Sequence, residues 1–380
     1  MSEFALIHIP TPGDHYSPAT GSAIISVVYE LGKQHLLNGG SHKIIVGRNT
    51  QHDYDTGECL EVDFPPRPSR NLRGVDAIFA KVGLPRYFMR RVHSAVDGVL
   101  KPDFDGCVMV HNAPVGLAAV KHAAPNSRVC LYAHNDLFSS YSRSEMRRSL
   151  EPAYRIICVS QYIASLITRQ LGEADPRLRV VHNGVNTSVF KPSGRSLASD
   201  SPPVILFIGR VVREKGVDLL LRAAATLGDR KFQLRIVGSD NFNSKASLST
   251  YEQELRRLAE PIKDRVEFIP FVDRKQVVSL YQSGTIYCAP SNWDDPCPLT
   301  VLEALAMGLP IVTSRRGGIP EEGKDAVRYF SPPAIDELAA HLADLIDNPK
   351  LRDELGLKAR ARAEELSWES QYQALVRALA

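Results

Sequence analysis

Two carboxylates stand eight positions apart in Ser291-Asn-Trp-Asp-Asp-Pro-Cys-Pro-Leu-Thr-Val-Leu-Glu-Ala-Leu-Ala-Met-Gly308: Asp295 before a proline-containing turn, and Glu303 in a run of apolar residues. Pro298 suits a first helical turn, and Gly308 with Pro310 suits an end, so a helix is predicted over 298–306. Leu299, Val301, Leu302, Ala304, Leu305 and Ala306 make that helix apolar all round, which predicts burial. An ionised glutamate there is costly unless it is hydrogen-bonded. Helical side chains lean toward the N-terminus, so Glu303 tilts over Leu299 and Thr300, toward the mouth where Asp295 sits. At that mouth the amides of Leu299, Thr300 and Val301 are expected to lack helical partners and to offer a seat for phosphate oxygens. The competing reading has Asp295 capping the helix and Glu303 paired with a core arginine.

A second loop bears on the same chemistry. Gly209-Arg-Val-Val-Arg-Glu-Lys-Gly216 follows a short apolar run and leads into a helical pattern at Val217. Arg210 and Lys215 would flank a helix N-terminus whose free N–H groups already favour an anion, and phosphate is the natural ligand there. The chain has no G-x-x-x-x-G-K-[ST] motif, and no G-x-G-x-x-G follows a strand. Exposed turn cations would look the same from this loop alone.

The elements that must hold these loops alternate along the chain. Short apolar runs predict strands at 4–9, 43–46, 107–110, 129–132 and 155–159, with helical patterns at 21–37, 86–100, 114–123 and 161–171. Residues 191–203 are rich in Ser, Pro and Gly and read as a linker. The alternation then restarts with strands at 204–208, 232–237, 266–269, 285–289 and 311–313, and helices at 217–227, 251–258, 275–281 and 298–306. The expected architecture is α/β: two Rossmann-like, doubly wound domains, 1–190 and 204–361, facing a central cleft. Ligands of open parallel sheets sit beyond the carboxyl ends of strands, so the loops there are where a site is expected, with the cleft as its default place.

Composition narrows the function classes. The 380 residues carry 46 basic and 43 acidic side chains, a net charge of +3 that is too small for a whole-chain nucleic-acid footprint. Six scattered cysteines, without a C-x-x-C pair or zinc spacing, suit a reduced, cytoplasmic protein. No basic flank precedes the first apolar run, so no signal peptide is expected, and no apolar segment approaches the roughly 18 residues of a membrane span. The stretch 80–92 is basic with interleaved aromatics, and Met146-Arg-Arg148 adds charge. Peripheral contact with an anionic membrane surface is one reading of it; a solvated helix face is the other.

The segment Asp295-Pro-Cys-Pro-Leu-Thr-Val-Leu-Glu303 resembles the E-x7-E segment of retaining GT-B glycosyltransferases, specifically the large family four (glycosyl transferases group 1). The likeness lies at Pro296, Leu302, Glu303 and Ala304, then at Met307-Gly308-Leu-Pro310. It departs at Asp295, where the family usually has Glu, and at Cys297-Pro298, where it usually has Phe-Gly. Gly209-Arg210 with Glu214-Lys215-Gly216 is similar to the family's diphosphate clamp. Val181-His-Asn-Gly-Val-Asn186 with Phe190-Lys-Pro192 resembles its interdomain segment, Thr313-Ser-Arg-Arg-Gly-Gly-Ile-Pro-Glu321 its G-G-x-P-E turn, and Ser367-Trp368-Glu369 its C-terminal helix, expected at 362–380 and crossing back to the first domain. In the first half, Pro12…Gly21-Ser22 stands where the family opens its first helix, and His134 where it has an active-site histidine.

The resemblance implies that Asp295, His134, Arg210 and Lys215 are catalytic. Gly21, Ser22, Gly209, Gly238, Pro298, Leu299, Thr300, Val301 and Glu303 would bind the donor together with Arg210 and Lys215. Glu303 would hold the ribose, Asp295 the sugar, and the cations and helix N-termini the departing diphosphate. No metal or cofactor is expected; Asp53-Tyr-Asp55 and Asp103-Phe-Asp105 read as solvated loop charges. Retention would proceed by front-face attack, a donor phosphate oxygen taking the acceptor's proton. The implied partners are a nucleotide sugar, UDP by default, and a carbohydrate or lipid-linked acceptor of surface polysaccharide or lipopolysaccharide synthesis, handled in the cytoplasm or at the inner membrane face. A nucleotide-sugar 2-epimerase of the same fold and a catalytically silent GT-B binding domain are the alternatives.

Overall fold

The computed structural model describes residues 4–81, 83–194, 197, 201–241 and 247–380, with residue 275 described by its backbone alone. The chain divides into two compact units, one built mainly from Ser22–His182 together with Gln371–Ala380, the other mainly from Asn183–Ser370.

The first unit holds seven strands: β1 (Ala5–Ile9), β2 (Ser41–Gly47), β3 (Glu58–Val62), β4 (Cys107–His111), β5 (Arg128–Ala133), β6 (Arg155–Cys158) and β7 (Leu178–Val180). They pair in parallel in the order β3-β2-β1-β4-β5-β6-β7. The second unit repeats the scheme with β8 (Val204–Ile208), β9 (Gln233–Val237), β10 (Val266–Ile269), β11 (Ile286–Ala289), β12 (Ile311–Ser314) and β13 (Arg328–Phe330), ordered β10-β9-β8-β11-β12-β13. These are the two doubly wound, parallel α/β units that the alternation of short and long apolar patterns predicts. Their central strands are apolar because both faces of a parallel sheet are covered. Leu6, Val108, Leu131, Ile205, Leu234 and Val312 are fully buried.

Strand order reverses between β1 and β4 in one sheet and between β8 and β11 in the other. At such a point the two loops leaving the carboxyl ends diverge, which opens the crevice where a ligand can sit. The Arg210/Lys215 loop follows β8, and the Asp295 loop follows β11, so both carboxylates and both cations belong to the switch point of the second sheet.

Several elements differ from expectation. β3, β7 and β13 all lie at sheet edges and are short or carry charge, as Glu58-Cys-Leu-Glu-Val62 does, so their apolar signal is weak. Helices at Arg70–Lys81, Arg143–Leu150 and Ile335–Asp347 are polar on one face, Pro349–Glu365 carries charge without an apolar stripe and buries Arg352 and Arg362, and none of the four is predicted. The helix expected over 86–100 stops at His93 and continues as a 3₁₀ turn, Ser94–Gly98. There the Ser94 hydroxyl donates to the Arg91 carbonyl at 2.9 Å, the local competition by which serine weakens helix interiors. The helix expected over 298–306 begins at Leu299, with Pro298 as its N-cap. Of the expected linker, residues 195, 196 and 198–200 lie outside the described residues, as does Val82 of the basic stretch. Leu197 is tied down: its carbonyl accepts from Arg352 Nε at 2.7 Å and its amide donates to Asp353 at 3.1 Å. Among the described residues no helix is long and apolar enough to cross a membrane.

Candidate functional site

Close backbone contact fixes the second sheet's switch point. Gly216 ends the turn after β8 with φ +68°, and a Cβ on it would stand 2.0 Å from the Pro290 carbonyl oxygen, so only glycine lets the two loops meet. The Asn292 amide donates to Glu214 O at 2.8 Å across the same junction. Lys215 and Asp295 consequently meet in an ion pair, the lysine mostly covered and the aspartate buried. Gly238 ends β9 next door, where a Cβ would come 2.0 Å from Gly209 O. It lines a pocket with Val211, Ser239, Asp240, Phe268 and Pro270. Arg210 is exposed and has no ion-pair partner among the described residues. Gly209, Arg210, Lys215, Gly238 and Asp295 are thus brought to one end of one sheet.

Asp295 does not cap the following helix, whose N-cap Pro298 contributes no side-chain bond. Its backbone is held instead, the Gly318 amide donating to Asp295 O at 2.8 Å. One expectation is corrected here. The Val301 amide is not free, because it donates to Pro298 O at 3.0 Å in a tight first turn, which leaves Leu299 and Thr300 as the first-turn amides at the mouth. Cys297 is buried; its Sγ accepts from the Asn183 amide at 3.4 Å, and its carbonyl accepts from Asn183 Nδ2 at 2.9 Å. Cys297 is therefore held from both its sulfur and its carbonyl by Asn183.

Glu303 is 3% exposed on the apolar helix, and its carboxylate has an ion pair at Oε1, which accepts no aligned hydrogen bond, and a hydrogen bond at Oε2. Arg274 Nη2 lies 2.9 Å from Oε1, and the Tyr281 hydroxyl lies 3.1 Å from Oε2 and 3.0 Å from Thr300 O. Half of the competing reading holds in that an arginine pairs with Glu303. That arginine is not a core residue, being one-third exposed, so the pair reaches solvent on the arginine's side while Glu303 stays covered. Neither Arg274 nor Tyr281 was legible as a partner, because each lies more than twenty positions away in sequence and meets Glu303 only through the fold.

Ser22 is the N-cap of helix Ala23–Leu37, its hydroxyl accepting from the Ile25 amide at 3.5 Å, and Gly21 is exposed just before it in sequence. His134 directly follows β5, with its amide donating to Asn112 Oδ1 at 2.8 Å. Its Nε2 is 2.8 Å from His111 Nδ1, and His111 Nε2 is 2.7 Å from His8 Nδ1. Burial lowers the His134 pKa from 6.5 to about 3, which keeps the ring neutral. His8 and His111 escaped the sequence reading. The signal was there, since each stands at or near the carboxyl end of its strand, and β1, β4 and β5 are neighbours. Asp53, Asp55, Asp103 and Asp105 are exposed loop residues, Asp53 accepting from Ser17 Oγ at 2.7 Å.

Comparison with known proteins agrees with this geometry. Residues 191–362 match the family described as "Glycosyl transferases group 1", and residues 26–189 match "Glycosyltransferase Family 4". Spore coat protein SA of Bacillus subtilis is 30% identical over 301 residues, which cover 73% of this chain and 79% of that protein. Among solved structures, a glycosyltransferase from Rickettsia africae superposes with a TM-score of 0.76 at 15% identity, covering 100% of this chain and 98% of that one. Anabaena HepE, crystallised in complex with UDP, gives 0.72 at 16% identity, covering 98% of each chain.

Proposed function

The chain belongs to the group 1 glycosyltransferases of GT-B fold, and from that premise we propose that it is a retaining, metal-independent hexosyltransferase using a nucleotide-diphosphate sugar. The observation that carries the reading is the meeting of Lys215 and Asp295 at the β8/β11 switch point, with the buried Glu303 eight positions on in the helix that follows. In this reading Arg210, Lys215 and the amides of Leu299 and Thr300 take the diphosphate, where negative charge builds as the bond from the anomeric carbon to the phosphate oxygen breaks. Glu303, held by Arg274 and Tyr281, accepts the ribose hydroxyls. Asp295 orients the sugar. Its pairing with a lysine weakens it as a nucleophile, which favours front-face attack: the acceptor oxygen bonds to the anomeric carbon and passes its proton to a leaving phosphate oxygen.

UDP is the favoured donor base, supported by the fold likeness to the UDP complex of HepE, and the acceptor is a carbohydrate or glycolipid hydroxyl in cell-surface polysaccharide or lipopolysaccharide synthesis. Peripheral membrane contact is part of the reading. Leu72, Ile78, Phe79, Leu84 and Tyr87 are exposed large apolar residues clustered in sixteen residues of sequence, flanked by exposed Arg70, Arg73, Lys81, Arg90 and Arg91. The test is incubation with a panel of UDP-, GDP- and ADP-sugars, following free sugar and nucleotide. Slow release of sugar from one donor, accelerated by a carbohydrate acceptor, is the expected result. Conversion of the donor to its 2-epimer would favour the isomerase, and binding without turnover would favour the silent domain.

A further inference from the structure

Three buried histidines form one hydrogen-bonded row across β1, β4 and the end of β5: His8 Nδ1 to His111 Nε2 at 2.7 Å, and His111 Nδ1 to His134 Nε2 at 2.8 Å. Tyr132 stacks on His111 and His134 with interplanar angles of 23° and 21°, which holds the rings in register. His8 and His111 are fully buried and His134 is 7% exposed, so the row opens only at His134. Burial depresses all three pKa values, and each ring therefore has a single N–H.

One N–H per ring leaves two ways to fill both hydrogen bonds. Protons can point outward, His8 Nδ1–H donating to His111 and His111 Nδ1–H donating to His134 Nε2, so that the His134 proton sits on Nδ1. Alternatively all three point inward, and His8 Nε2–H becomes the terminal donor. His8 Nε2 has no hydrogen-bond partner among the described residues. The other ring beside His8, His42, meets it edge-on at 5.1 Å and 86°, which offers an N–H at best a weak π contact. A buried N–H without an acceptor is the rarer and costlier defect; a bare ring lone pair is tolerated better.

We infer that His8 and His111 are positioning residues that lock His134 in the Nδ1–H tautomer, so that its open nitrogen is a hydrogen-bond donor and not a base. Resting on the glycosyltransferase reading, this assigns His134 to donating toward an oxygen of the donor sugar or its phosphate, and removes it as the group that takes the acceptor's proton. The preference follows from one orphaned donor and should favour the outward pattern by roughly tenfold or more.

The tautomer is directly observable in the full-length, histidine-¹⁵N-labelled chain by long-range ¹H–¹⁵N correlation, with His134 identified by the signals lost in His134→Gln. The expected spectrum shows a protonated Nδ1 and an unprotonated Nε2 at His134. His111→Phe removes the donor and should give a mixed or shifted tautomer, whereas His8→Asn, whose amide N–H replaces Nδ1–H, should preserve the wild-type pattern. A proton on Nε2 of His134 in the wild type would overturn the inference, whether or not the variants fold, and so would a pattern unchanged in folded His111→Phe. The readout requires no nucleotide sugar, so its outcome and that of the donor panel are independent.

Discussion

At the scale of single residues, the chemistry turns on charges placed where charge is expensive. Glu303 is buried but supplied with Arg274 and Tyr281, which offset the cost of its charge. Glu303→Ala should weaken nucleotide binding by about tenfold or more, the scale of a hydrogen bond to a charged group. Asp295→Ala should instead depress turnover while leaving nucleotide affinity within a few-fold; if calorimetry gave both variants wild-type affinity, the assignment of the two carboxylates would fall. Glu322 poses the opposite case. It is 1% exposed, and burial pushes its carboxyl well above the ordinary value of 4.5, against a partial pull downward from the neighbouring Cys297 thiol. The folded chain then keeps a proton that the unfolded chain has shed, so its contribution is full below about pH 4.5 and declines as pH rises toward the elevated folded-state value. Glu322→Gln mimics the protonated acid. Its melting temperature should match wild type near pH 4.5 and exceed it increasingly toward pH 8 in calorimetric scans; a constant offset would refute the assignment of a buried, protonated acid.

Among elements, what was legible in the sequence follows burial. The central strand Val204–Ile208 shows in the sequence with the bounds it has in the fold, because a strand covered on both faces is apolar along its length; Val266–Ile269, at a sheet edge, shows because it keeps three apolar residues of four. Edge strands β3, β7 and β13 lack that covering and hence that signal. The loops after β8 and β11 were legible as a pair because their charges, glycines and prolines are dictated by local geometry. The partners of Glu303 and of His134 were not, since Arg274, Tyr281, His8 and His111 come from other elements and are ordinary residue types in their own segments. The junction itself can be tested at Gly216. Alanine there would need a left-handed backbone and would drive a Cβ to 2.0 Å from Pro290 O, against backbone that cannot swing aside as a flexible side chain would. Gly216→Ala should cost about 1–3 kcal/mol from the backbone conformation alone and more from the clash. It should also separate Lys215 from Asp295, so nucleotide affinity should fall along with melting temperature. Unchanged stability would mean that the two loops do not meet as described.

For the whole molecule, the surface offers a feature that neither sheet explains. Net charge is only +3, yet exposed cations gather on helices Arg70–Lys81 and Tyr87–His93 beside five exposed apolar side chains. The two helices are fastened to each other from inside: buried Asp76 accepts from the amides of Phe88 and Met89 at 3.0 and 2.9 Å. Arg86 is turned inward to Glu145, 2.5 Å away, while Arg90 and Arg91 remain outward. Exposed apolar side chains interspersed with lysine and arginine on two helices tied together suit the interface of an anionic bilayer, where each cation near the surface contributes about 1 kcal/mol and each buried apolar side chain adds area-dependent burial. The full chain should therefore co-sediment with vesicles containing anionic lipid and not with purely zwitterionic ones. Because the attraction is screened over roughly 10 Å at 0.1 M salt, bound protein should fall as salt is raised. Ile78→Asp, at a residue 63% exposed and remote from both switch-point loops in sequence, should abolish the association while leaving fold and donor hydrolysis intact. Equal sedimentation of wild type and Ile78→Asp would show that charge alone drives the contact, and absence of binding to anionic vesicles at low salt would remove the membrane from the proposed function while leaving the transferase reading untouched.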